Sequence, residues 1–567
     1  MKRIFDEHII RKTTYLDGGW KFTVDSEKVG ENKGFYNGLE SYETIIVPSV
    51  WNNKLSLFNY QGVCWYQRDF FFEGTARLVF EGVMTECKVW LDGEYLGYHY
   101  GGFCQFEFIV PDLKAGLHKL VLRVDNSFDE CSIPQKEVDW FRFGGITRSV
   151  SVERLQGVAV TYGKIDYFLN EDRTEADIIF TAELYGADSK KETTLSITLD
   201  GETVFSKKVA LRKNSKETVV TDKITVKNVR LWDTSSPYLY TVVFSTDTDD
   251  LIDKVGMRTF EVKDCALWLN GKKLELRGVN RHEEIPSLGM SVPTVCMQND
   301  LELIEDLGCN AIRGSHYPNS RIFLDMLDER GILFYSEIPI WGGGFNTEAL
   351  SNKTVLERGL NMLKEMVKYY YNHPSIIFWG MHNEIITESE EARNMSALYY
   401  SFLKQNANNR LVTYATCRYN VDTCFEYCDV ICINAYNGWY SNKIDDWYSF
   451  PDKFNSRRIE LGFGDKPVIM SEFGGGAVYG NKTFKNVRWT EEYQANLIKT
   501  CLQIFHDCPY MAGSFIWQFA NIRSDIHINR FRSFNNKGIL SEYREPKEAY
   551  FTVKEKYHQF KNEENEE

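Results

Sequence analysis

Hydrophobic and polar residues alternate along the first part of the chain in short segments, such as residues 20–24, 76–80 and 119–124. A period of two residues is the pattern of a β-strand that buries one face. Gly, Asn and Asp break these segments, and the pair Asp92-Gly93 is typical of a tight hairpin turn. The pattern therefore predicts an all-β, jelly-roll-like sandwich over residues 1–154.

A second set of alternating segments follows, including residues 176–180, 194–199 and 239–244. A stretch of about 110 residues with roughly seven such strands fits an immunoglobulin-like sandwich. We place this second sandwich at residues 155–262. It contains no cluster of residues that indicates chemistry.

From residue 263 onward, short apolar segments alternate with amphipathic helical patterns, which is typical of parallel strands connected by helices. The candidate strands are residues 274–278, 310–313, 332–336, 376–379, 411–415, 430–434, 468–471 and 514–517, and the clearest helical runs are residues 301–307, 356–371, 492–505 and 548–560. Eight strands predict a (β/α)₈ TIM barrel over residues 263–567. We expect residues 561–567 to form a solvated tail.

Two of the barrel strands end in a glutamate. An apolar run reaches Asn383-Glu384, and a second one reaches Ser471-Glu472 before a glycine-rich stretch. The C-terminal ends of parallel barrel strands meet at one mouth, where barrel enzymes carry their chemistry. Two carboxyl groups at such a mouth indicate glycoside hydrolysis, in which one acts as an acid and the other attacks or activates water. Taken singly, each glutamate could instead be a strand-end residue that binds neighbouring backbone.

The charge balance narrows the classes of partner. The 567 residues include 66 Lys or Arg and 80 Asp or Glu, which gives a net charge of -14. An acidic chain is a poor ligand for nucleic acid or anionic membranes. The N-terminal residues lack the apolar core of a signal peptide, and no apolar run is long enough to span a bilayer. We expect a cytoplasmic, soluble protein that binds neither nucleic acid nor membrane.

The 13 cysteines do not indicate a disulfide framework, because most of them lie in apolar segments, as reduced core thiols do. Cys417, Cys424, Cys428 and Cys432 fall close together, but their spacing matches no common zinc pattern. We therefore expect no metal site.

Four motifs together resemble glycoside hydrolase family 2: residues 278–283, residues 313–318, Asn383-Glu384 and residues 471–474. The resemblance extends over nearly the whole chain. It implies that Glu384 is the acid/base and Glu472 the nucleophile of a retaining double displacement without a metal or organic cofactor. A retaining mechanism requires carboxyl groups about 5 to 5.5 Å apart.

The resemblance also suggests residues that bind the sugar. Asn383, beside the acid, would bond the 2-hydroxyl, a contact that strengthens in the transition state. His282 and His316, at the ends of the first two barrel strands, would contact the sugar or orient a carboxylate. Considered alone, each histidine could equally be a buried barrel-mouth residue with its hydrogen bonds satisfied.

Further matches are to the β-glucuronidases of the family. Residues 434–440 are similar to their Asn-x-Tyr-x-Gly-Trp-Tyr stretch, which implies that Tyr436 bonds the nucleophile and Tyr440 faces the sugar. Trp517 matches the tryptophan on which the sugar ring stacks. In the N-terminal sandwich, Asp139 begins a segment that resembles one whose aspartate reaches a sugar hydroxyl.

The substrate class depends on Asn535-Asn536-Lys537-Gly538, which looks like the β-glucuronidase signature for a uronic acid carboxylate. Lys537 would supply the charge and Asn535 a directed donor. An arginine often assists, but Arg530 and Arg532 match equally well. The implied activity is exo-β-glucuronidase on small-molecule or oligosaccharide β-glucuronides, and the likeness suggests a dimeric or tetrameric homo-oligomer. A β-galacturonidase, a β-galactosidase and a noncatalytic carbohydrate-binding protein remain alternatives.

Some positions depart from the family pattern. Gly314 stands where Thr is usual, Ile385 where Pro is common, and Phe473 where Tyr is usual. The connection over residues 341–351 is also short, which suggests an open aglycone side that accommodates bulkier conjugates.

Overall fold

A computed structural model describes residues 3–188, 191–342, 344–407, 410–524 and 530–566. Two of the expectations above extend to residues outside these ranges, namely Gly343 in the short connection and Glu567 at the end of the tail. Within the described ranges, no helix combines the length and the apolar character needed to cross a bilayer.

The N-terminal part is an antiparallel β-structure. Its strands are β1 (Thr13–Tyr15), β2 (Gly18–Asp25), β3 (Glu43–Val47), β4 (Val63–Phe80), β5 (Val83–Met84), β6 (Glu86–Leu91), β7 (Glu94–Tyr100), β8 (Phe106–Asp125), β9 (Gly145–Ile146) and β10 (Val150–Leu155). Eight of them form one sheet in which the long strands β4 and β8 pair over most of their length. Alternate residues such as Trp20 and Phe22 are buried between the layers, as the two-residue period predicts.

A second pair of sheets follows in the chain. Its strands are β11 (Val158–Leu169), β12 (Glu175–Gly186), β13 (Lys191–Leu199), β14 (Glu202–Leu211), β15 (Lys216–Val220), β16 (Ile224–Lys227), β17 (Tyr240–Ser245) and β18 (Asp250–Val255). One four-stranded sheet contains β11, β12, β15 and β16, and the other contains β13, β14, β17 and β18. The two sheets enclose an apolar core that includes Phe180 and Phe244, so the predicted immunoglobulin-like sandwich is confirmed.

The C-terminal part is a closed parallel barrel. A small sheet of β19 (Phe260–Lys263), β20 (Ala266–Leu269) and β21 (Lys272–Leu274) precedes it. The barrel strands are β22 (Leu276–Arg281), β23 (Ala311–Gly314), β24 (Leu333–Glu337), β25 (Ile376–Asn383), β26 (Leu411–Thr416), β27 (Ile431–Asn434), β28 (Val468–Phe473) and β29 (Met511–Ile516), and a hairpin of β30 (Ile522–Arg523) and β31 (Phe534–Asn535) follows them. All eight predicted barrel strands are confirmed, with ends that shift by a few residues.

Helices surround the barrel. They are α1 (Thr294–Asp306), α2 (Arg321–Arg330), α3 (Thr347–Ser351), α4 (Lys353–Tyr370), α5 (Glu390–Asn406), α6 (Phe450–Glu460), α7 (Glu491–His506) and α8 (Glu548–Glu566). Residues 561–564 are exposed, as expected. The expectation that this part forms a tail was wrong, because α8 continues to Glu566. Ion pairs between Glu564 and Arg277 and between Glu563 and His506 hold this last part against the barrel.

An N-terminal arginine joins the second sandwich to the barrel. The Arg3 guanidinium donates through Nε to both carboxylate oxygens of Asp325 in α2, each at 2.9 Å, and through Nη2 to Asp253 in β18 at 2.9 Å. All three side chains are largely removed from solvent. Neither carboxylate could remain buried and charged without a cation, because desolvation of an unpaired charge costs several kcal/mol.

We therefore expect Arg3→Ala to destabilise the protein by about 3 to 5 kcal/mol, the usual cost of an uncompensated buried charge. The measurement is the thermal denaturation midpoint of each variant. Lys12→Ala, which removes an exposed cation from the same segment, is the matched control. Equal midpoints for the two variants would contradict this account of the contact.

Candidate active site

A cavity of about 300 Å³ opens at the C-terminal ends of the barrel strands. Both predicted catalytic carboxyl groups line it. The lining residues are Asp139, Trp341, Glu384, Cys417, Tyr436, Tyr440, Glu472, Trp517, Arg530 and Lys537. The N-terminal domain thus contributes one lining residue, Asp139, and the barrel domain contributes the other nine.

Glu384 directly follows β25 and leaves the strand direction. Its φ angle of 54° lies in the left-handed region, which a residue with a side chain adopts at a cost and which is frequent at functional sites. Asn434 Nδ2 donates to Glu384 Oε1 at 2.9 Å. Burial and the nearby charge of Glu472 raise the pKa of Glu384 to about 8, although the Asn434 bond opposes the shift. Glu384 is therefore protonated at neutral pH and able to donate a proton.

Glu472 lies within β28, and two donors hold its carboxylate. Arg313 Nη1 donates to Oε1 at 2.8 Å, and the Tyr436 hydroxyl donates to Oε2 at 2.7 Å. These two donors fix the position and orientation of the carboxyl group. The site therefore places a protonated acid and a second, firmly held carboxyl group at the ends of two barrel strands.

Arg313 connects several of these groups, and the sequence reasoning did not single it out. Its fully buried guanidinium forms a bidentate pair with Glu337, with both N···O distances at 3.0 Å. It also donates to Asn383 Oδ1 at 2.8 Å as well as to Glu472. The sequence feature that could have indicated this ion pair is an arginine inside the apolar strand β23 together with a glutamate at the end of β24.

Asn383 is buried beside the acid, and its amide orientation is fixed. Its Oδ1 accepts from Arg313 and, at 3.1 Å, from Asn434 Nδ2. Its Nδ2 has no hydrogen-bond partner among the described residues. Because a buried donor without a partner is costly, this amide is available to a ligand oxygen.

Two neutral histidines lie under the aromatic wall of the cavity. His316 Nδ1 contacts Glu337 Oε1 at 2.7 Å, and Nδ1–H donates in this contact when Glu337 is ionised. Burial and the Arg313 charge lower the pKa of His316 to about 3. Burial and neighbouring His316 lower the pKa of His282 well below its ordinary value. The Trp517 ring stacks on His316 with centroids 5.0 Å apart and meets the His282 ring edge-on at 5.5 Å.

Asp139 reaches into the barrel mouth from the N-terminal sandwich. It forms an ion pair with Arg530 and accepts hydrogen bonds from Ser524 Oγ at 2.6 Å and from Asn535 Nδ2 at 2.9 Å. Burial alone would raise the pKa of Asp139, but the charges of Lys537 and Arg530 lower it overall. The Asn535 amide therefore bonds Asp139 and is fully buried.

Lys537 extends from the segment after β31 into the cavity. Its Nζ donates to the Tyr440 hydroxyl at 2.9 Å, and Arg530 Nη1 contacts the same oxygen at 3.3 Å. Burial would raise the pKa of Tyr440, but the charges of Lys537 and Arg530 lower it overall. Of the two candidate arginines, Arg530 lines the cavity. Arg532 instead pairs with Glu542, and its side chain is half-exposed.

The structure thus brings most of the predicted site residues to the cavity wall. Glu384, Glu472, Tyr436, Tyr440, Trp517, Lys537 and Asp139 line it. Asn535, His282 and His316 contact lining residues from behind, and Asn383 pairs through its backbone with Trp341 and directly precedes Glu384. Trp341 and Cys417 also line the cavity and were missed, because they lie in loops without a recognisable motif. The binding role of each residue stays a prediction.

One departure from the family pattern has a steric reason. A Cβ atom on Gly314 would lie 2.3 Å from the Phe334 ring and 2.9 Å from Asn319 Nδ2. Such contacts are much shorter than van der Waals packing allows. The glycine therefore makes room for Phe334 in the layer behind Arg313.

One group among the described residues has metal-ligand spacing, and it lies away from this cavity. It consists of Asp325, Asp328 and His373. His373 Nδ1 contacts Asp328 at 2.5 Å, and Arg3 occupies both oxygens of Asp325. Because His373 precedes β25, the group lies at the N-terminal end of the barrel. Its ligand atoms are already paired within an ion-pair network, so the arrangement does not favour a metal.

Comparisons with known proteins agree with this architecture. Residues 13–155 match the sugar binding domain of glycosyl hydrolases family 2, residues 163–259 match a second model of that family, and residues 260–562 match its TIM barrel domain. A putative β-glucuronidase of Formosa agariphila is 28% identical over 91% of this chain, which spans 66% of that relative's length.

Solved structures give the same result over the full length. A β-galacturonidase from Eisenbergiella tayi bound to galacturonate is 32% identical, with a TM-score of 0.91 and coverage of 99% of both chains. A β-glucuronidase from Ruminococcus gnavus in complex with D-glucuronic acid is 25% identical, with a TM-score of 0.86 and coverage of 98% of this chain and 99% of that chain. Three contiguous family matches and the acid pair at the barrel mouth lead to one conclusion: the chain is an enzyme of glycoside hydrolase family 2.

Proposed function

We propose that this enzyme is a retaining β-glucuronidase that hydrolyses β-D-glucuronides to glucuronate and an aglycone. The observation that carries the proposal is the Lys537 ammonium, which is 2% exposed and lines the cavity. No carboxylate of the described residues lies within ion-pair distance of its Nζ. A buried cation needs an anion or a dense set of acceptors, and a uronate carboxylate supplies the anion.

The charges on this side of the cavity support the same substrate class. Asp139 forms an ion pair with Arg530, and the charges of both Arg530 and Lys537 act on its carboxylate. One carboxylate thus faces two cations, which leaves a net positive charge beside Tyr440. A neutral sugar would leave that charge unpaired, whereas a uronate would complete a charge-assisted hydrogen bond. The arrangement therefore favours uronides over neutral glycosides.

In the proposed first step, Glu472 attacks the anomeric carbon while Glu384 gives its proton to the glycosidic oxygen. The bond to the aglycone breaks, and a covalent glycosyl-enzyme forms. Arg313 and Tyr436 hold the attacking carboxylate in place. The raised pKa of Glu384, about 8, keeps it protonated at neutral pH.

In the second step, ionised Glu384 takes a proton from water as the water oxygen attacks the anomeric carbon. The bond from that carbon to Glu472 breaks, which regenerates the carboxylate and releases the sugar with its original configuration. A retaining mechanism is general in glycoside hydrolase family 2. The unpartnered Nδ2 of Asn383 would donate to the sugar 2-hydroxyl oxygen. Trp517, supported by His316, would form the platform under the ring.

A second candidate is a β-galacturonidase. The Eisenbergiella tayi β-galacturonidase has higher identity and a higher TM-score to this chain than the Ruminococcus gnavus β-glucuronidase. The two sugars differ only in the configuration at C4, and both carry the carboxylate that Lys537 would bind. The mechanism is the same for both candidates. So is the binding of the uronate carboxylate by Lys537, which we call the carboxylate clamp.

The roles of the two glutamates can be separated with azide. In Glu384→Ala, azide should attack the glycosyl-enzyme and give a β-glycosyl azide. In Glu472→Ala, turnover of an aryl glucuronide should fall by about 10⁴-fold or more, and azide should give an α-glycosyl azide directly. The products are identified by NMR, and Glu460→Ala, a surface carboxylate in α6, is the control. The opposite assignment of the two azide products would contradict the roles.

The pH dependence tests the environment of the acid. Because ionised Glu384 cannot donate a proton, kcat/KM should fall above pH about 8, the pKa of this group. In Asn434→Ala, loss of a donor to the ionised form should raise that pKa and move the basic limb upward by up to about one unit. Asn406→Ala on the surface of α5 is the control. A limb that stays in place or moves downward in Asn434→Ala would be inconsistent with this assignment.

The carboxylate clamp is tested by Lys537→Ala. Loss of one charged hydrogen bond should lower kcat/KM on p-nitrophenyl β-D-glucuronide by about 10- to 100-fold. The corresponding value on p-nitrophenyl β-D-glucoside should change much less, because this sugar has no carboxylate. Lys485→Ala removes an exposed lysine from the loop after β28 and is the control. Equal losses on both substrates would remove the carboxylate role of Lys537.

A further inference from the structure

A second lysine lies behind the cavity, and the mechanism does not use it. Lys547 has no exposed surface. Its Nζ donates to Ala477 O at 2.8 Å, to Asn521 Oδ1 at 3.0 Å and to Asn536 O at 3.1 Å. An ammonium group has three N–H donors, so the described partners match its full donor capacity.

The three acceptors belong to three different segments of the site. Ala477 follows β28, which carries Glu472. Asn521 follows β29 and Trp517, and Asn536 lies between Asn535 and Lys537. One buried cation therefore ties together the segments that bear the nucleophile, the aromatic platform and the clamp.

Further hydrogen bonds join the segment after β28 to residues 536 and 537. Ala477 N donates to Asn536 O at 3.0 Å. Gln494 Nε2 in α7 contacts Gly475 O at 2.9 Å and Lys537 O at 3.2 Å. Gln494 in α7 and Lys547, which directly precedes α8, thus hold the backbone around residues 535–537. Of these two side chains, only Lys547 can carry a charge.

The charge of Lys547 is costly to keep. Burial lowers the pKa of Lys547 to about 7, and the carboxylates of Glu491 and Glu542 offset only part of this effect. A residue whose single task was to fill space would not need a charge there, since burial of an ammonium costs free energy that an apolar side chain avoids. The protonated amine has three N–H donors and the neutral amine only two, so the three acceptors around Nζ favour the charged form.

We propose that Lys547 is a positioning residue that fixes the Asn535–Lys537 segment relative to Glu472 and Trp517, and so sets the affinity for the uronate carboxylate. This inference rests on the proposed function, because it assigns Lys547 to the support of the Lys537 clamp. Glu472 has its own supports in Arg313 and Tyr436, so the clamp depends more on Lys547 than the nucleophile does.

The test is Lys547→Met, which keeps an unbranched side chain and removes all three donors. We expect KM for p-nitrophenyl β-D-glucuronide to rise about tenfold or more, the factor for one lost charged hydrogen bond, while kcat changes little. The parameters for p-nitrophenyl β-D-glucoside should change much less. Lys561→Met, on the exposed face of α8, is the matched control and should behave as wild type in both assays.

A folded Lys547→Met enzyme with wild-type KM on the glucuronide, or with equal losses in kcat on both substrates, would overturn the inference. If that variant does not fold, as judged by thermal denaturation, Asn521→Ala replaces it. Asn521→Ala keeps the lysine but removes one of its three tethers, and it should raise the glucuronide KM selectively; an unchanged KM would overturn the inference.

The two proposals can be distinguished by which of these variants and substrates fail to give the expected result. If the wild-type enzyme does not prefer the glucuronide over the glucoside, both proposals fail together. If the wild type prefers the glucuronide and Lys537→Ala abolishes that preference, but Lys547→Met does not affect it, the positioning role alone fails.

Discussion

The buried guanidinium of Arg313 is the interaction on which the active site depends. It neutralises Glu337, holds Glu472 at 2.8 Å and fixes Asn383 at 2.8 Å. In a protein interior, two carboxylates and an arginine are tolerated only when the donors and acceptors match. The closed barrel provides that match, because β23, β24, β25 and β28 bring these side chains to one layer at its mouth.

The environments of the two cavity glutamates differ. Glu472 receives charged and hydroxyl donors, whereas Glu384 has a single amide donor among the described residues and is close to the Glu472 charge. Burial and the nearby charge of Glu472 raise the pKa of Glu384 to about 8, so this acid is protonated at neutral pH. A second charged group, composed of Asp139, Arg530 and Lys537, lines the same cavity.

The sequence was sufficient for the fold and for the two glutamates that line the cavity. Strand periods of two residues, followed by eight apolar segments separated by helices, predicted the sandwiches and the barrel. The glutamates were visible because each ends an apolar run. Arg313 and Glu337 were not recognised, because a buried ion pair depends on which strands become neighbours, and this is a property of the closed barrel. Arg530 could not be distinguished from Arg532 for the same reason: only the folded hairpin directs one toward Asp139 and the other toward Glu542.

The sequence pattern also did not predict that α8 continues to Glu566. Its last residues are polar, and a helix of that composition is marginal when isolated. In the folded protein, Arg277 and His506 on the barrel pair with Glu564 and Glu563 and stabilise the final turns. Tertiary contacts of this kind decide where a polar terminal helix ends.

The most direct measurement of the central claim is the set of kcat/KM values of the wild-type enzyme on p-nitrophenyl β-D-glucuronide, β-D-galacturonide and β-D-galactoside. The account predicts that uronides are strongly preferred over the galactoside and that the glucuronide is the best of the three. A preference for the galacturonide would keep the mechanism and the carboxylate clamp and change the C4 assignment. Turnover of the galactoside alone would contradict the role of the Lys537 charge and, with it, the proposed substrate class.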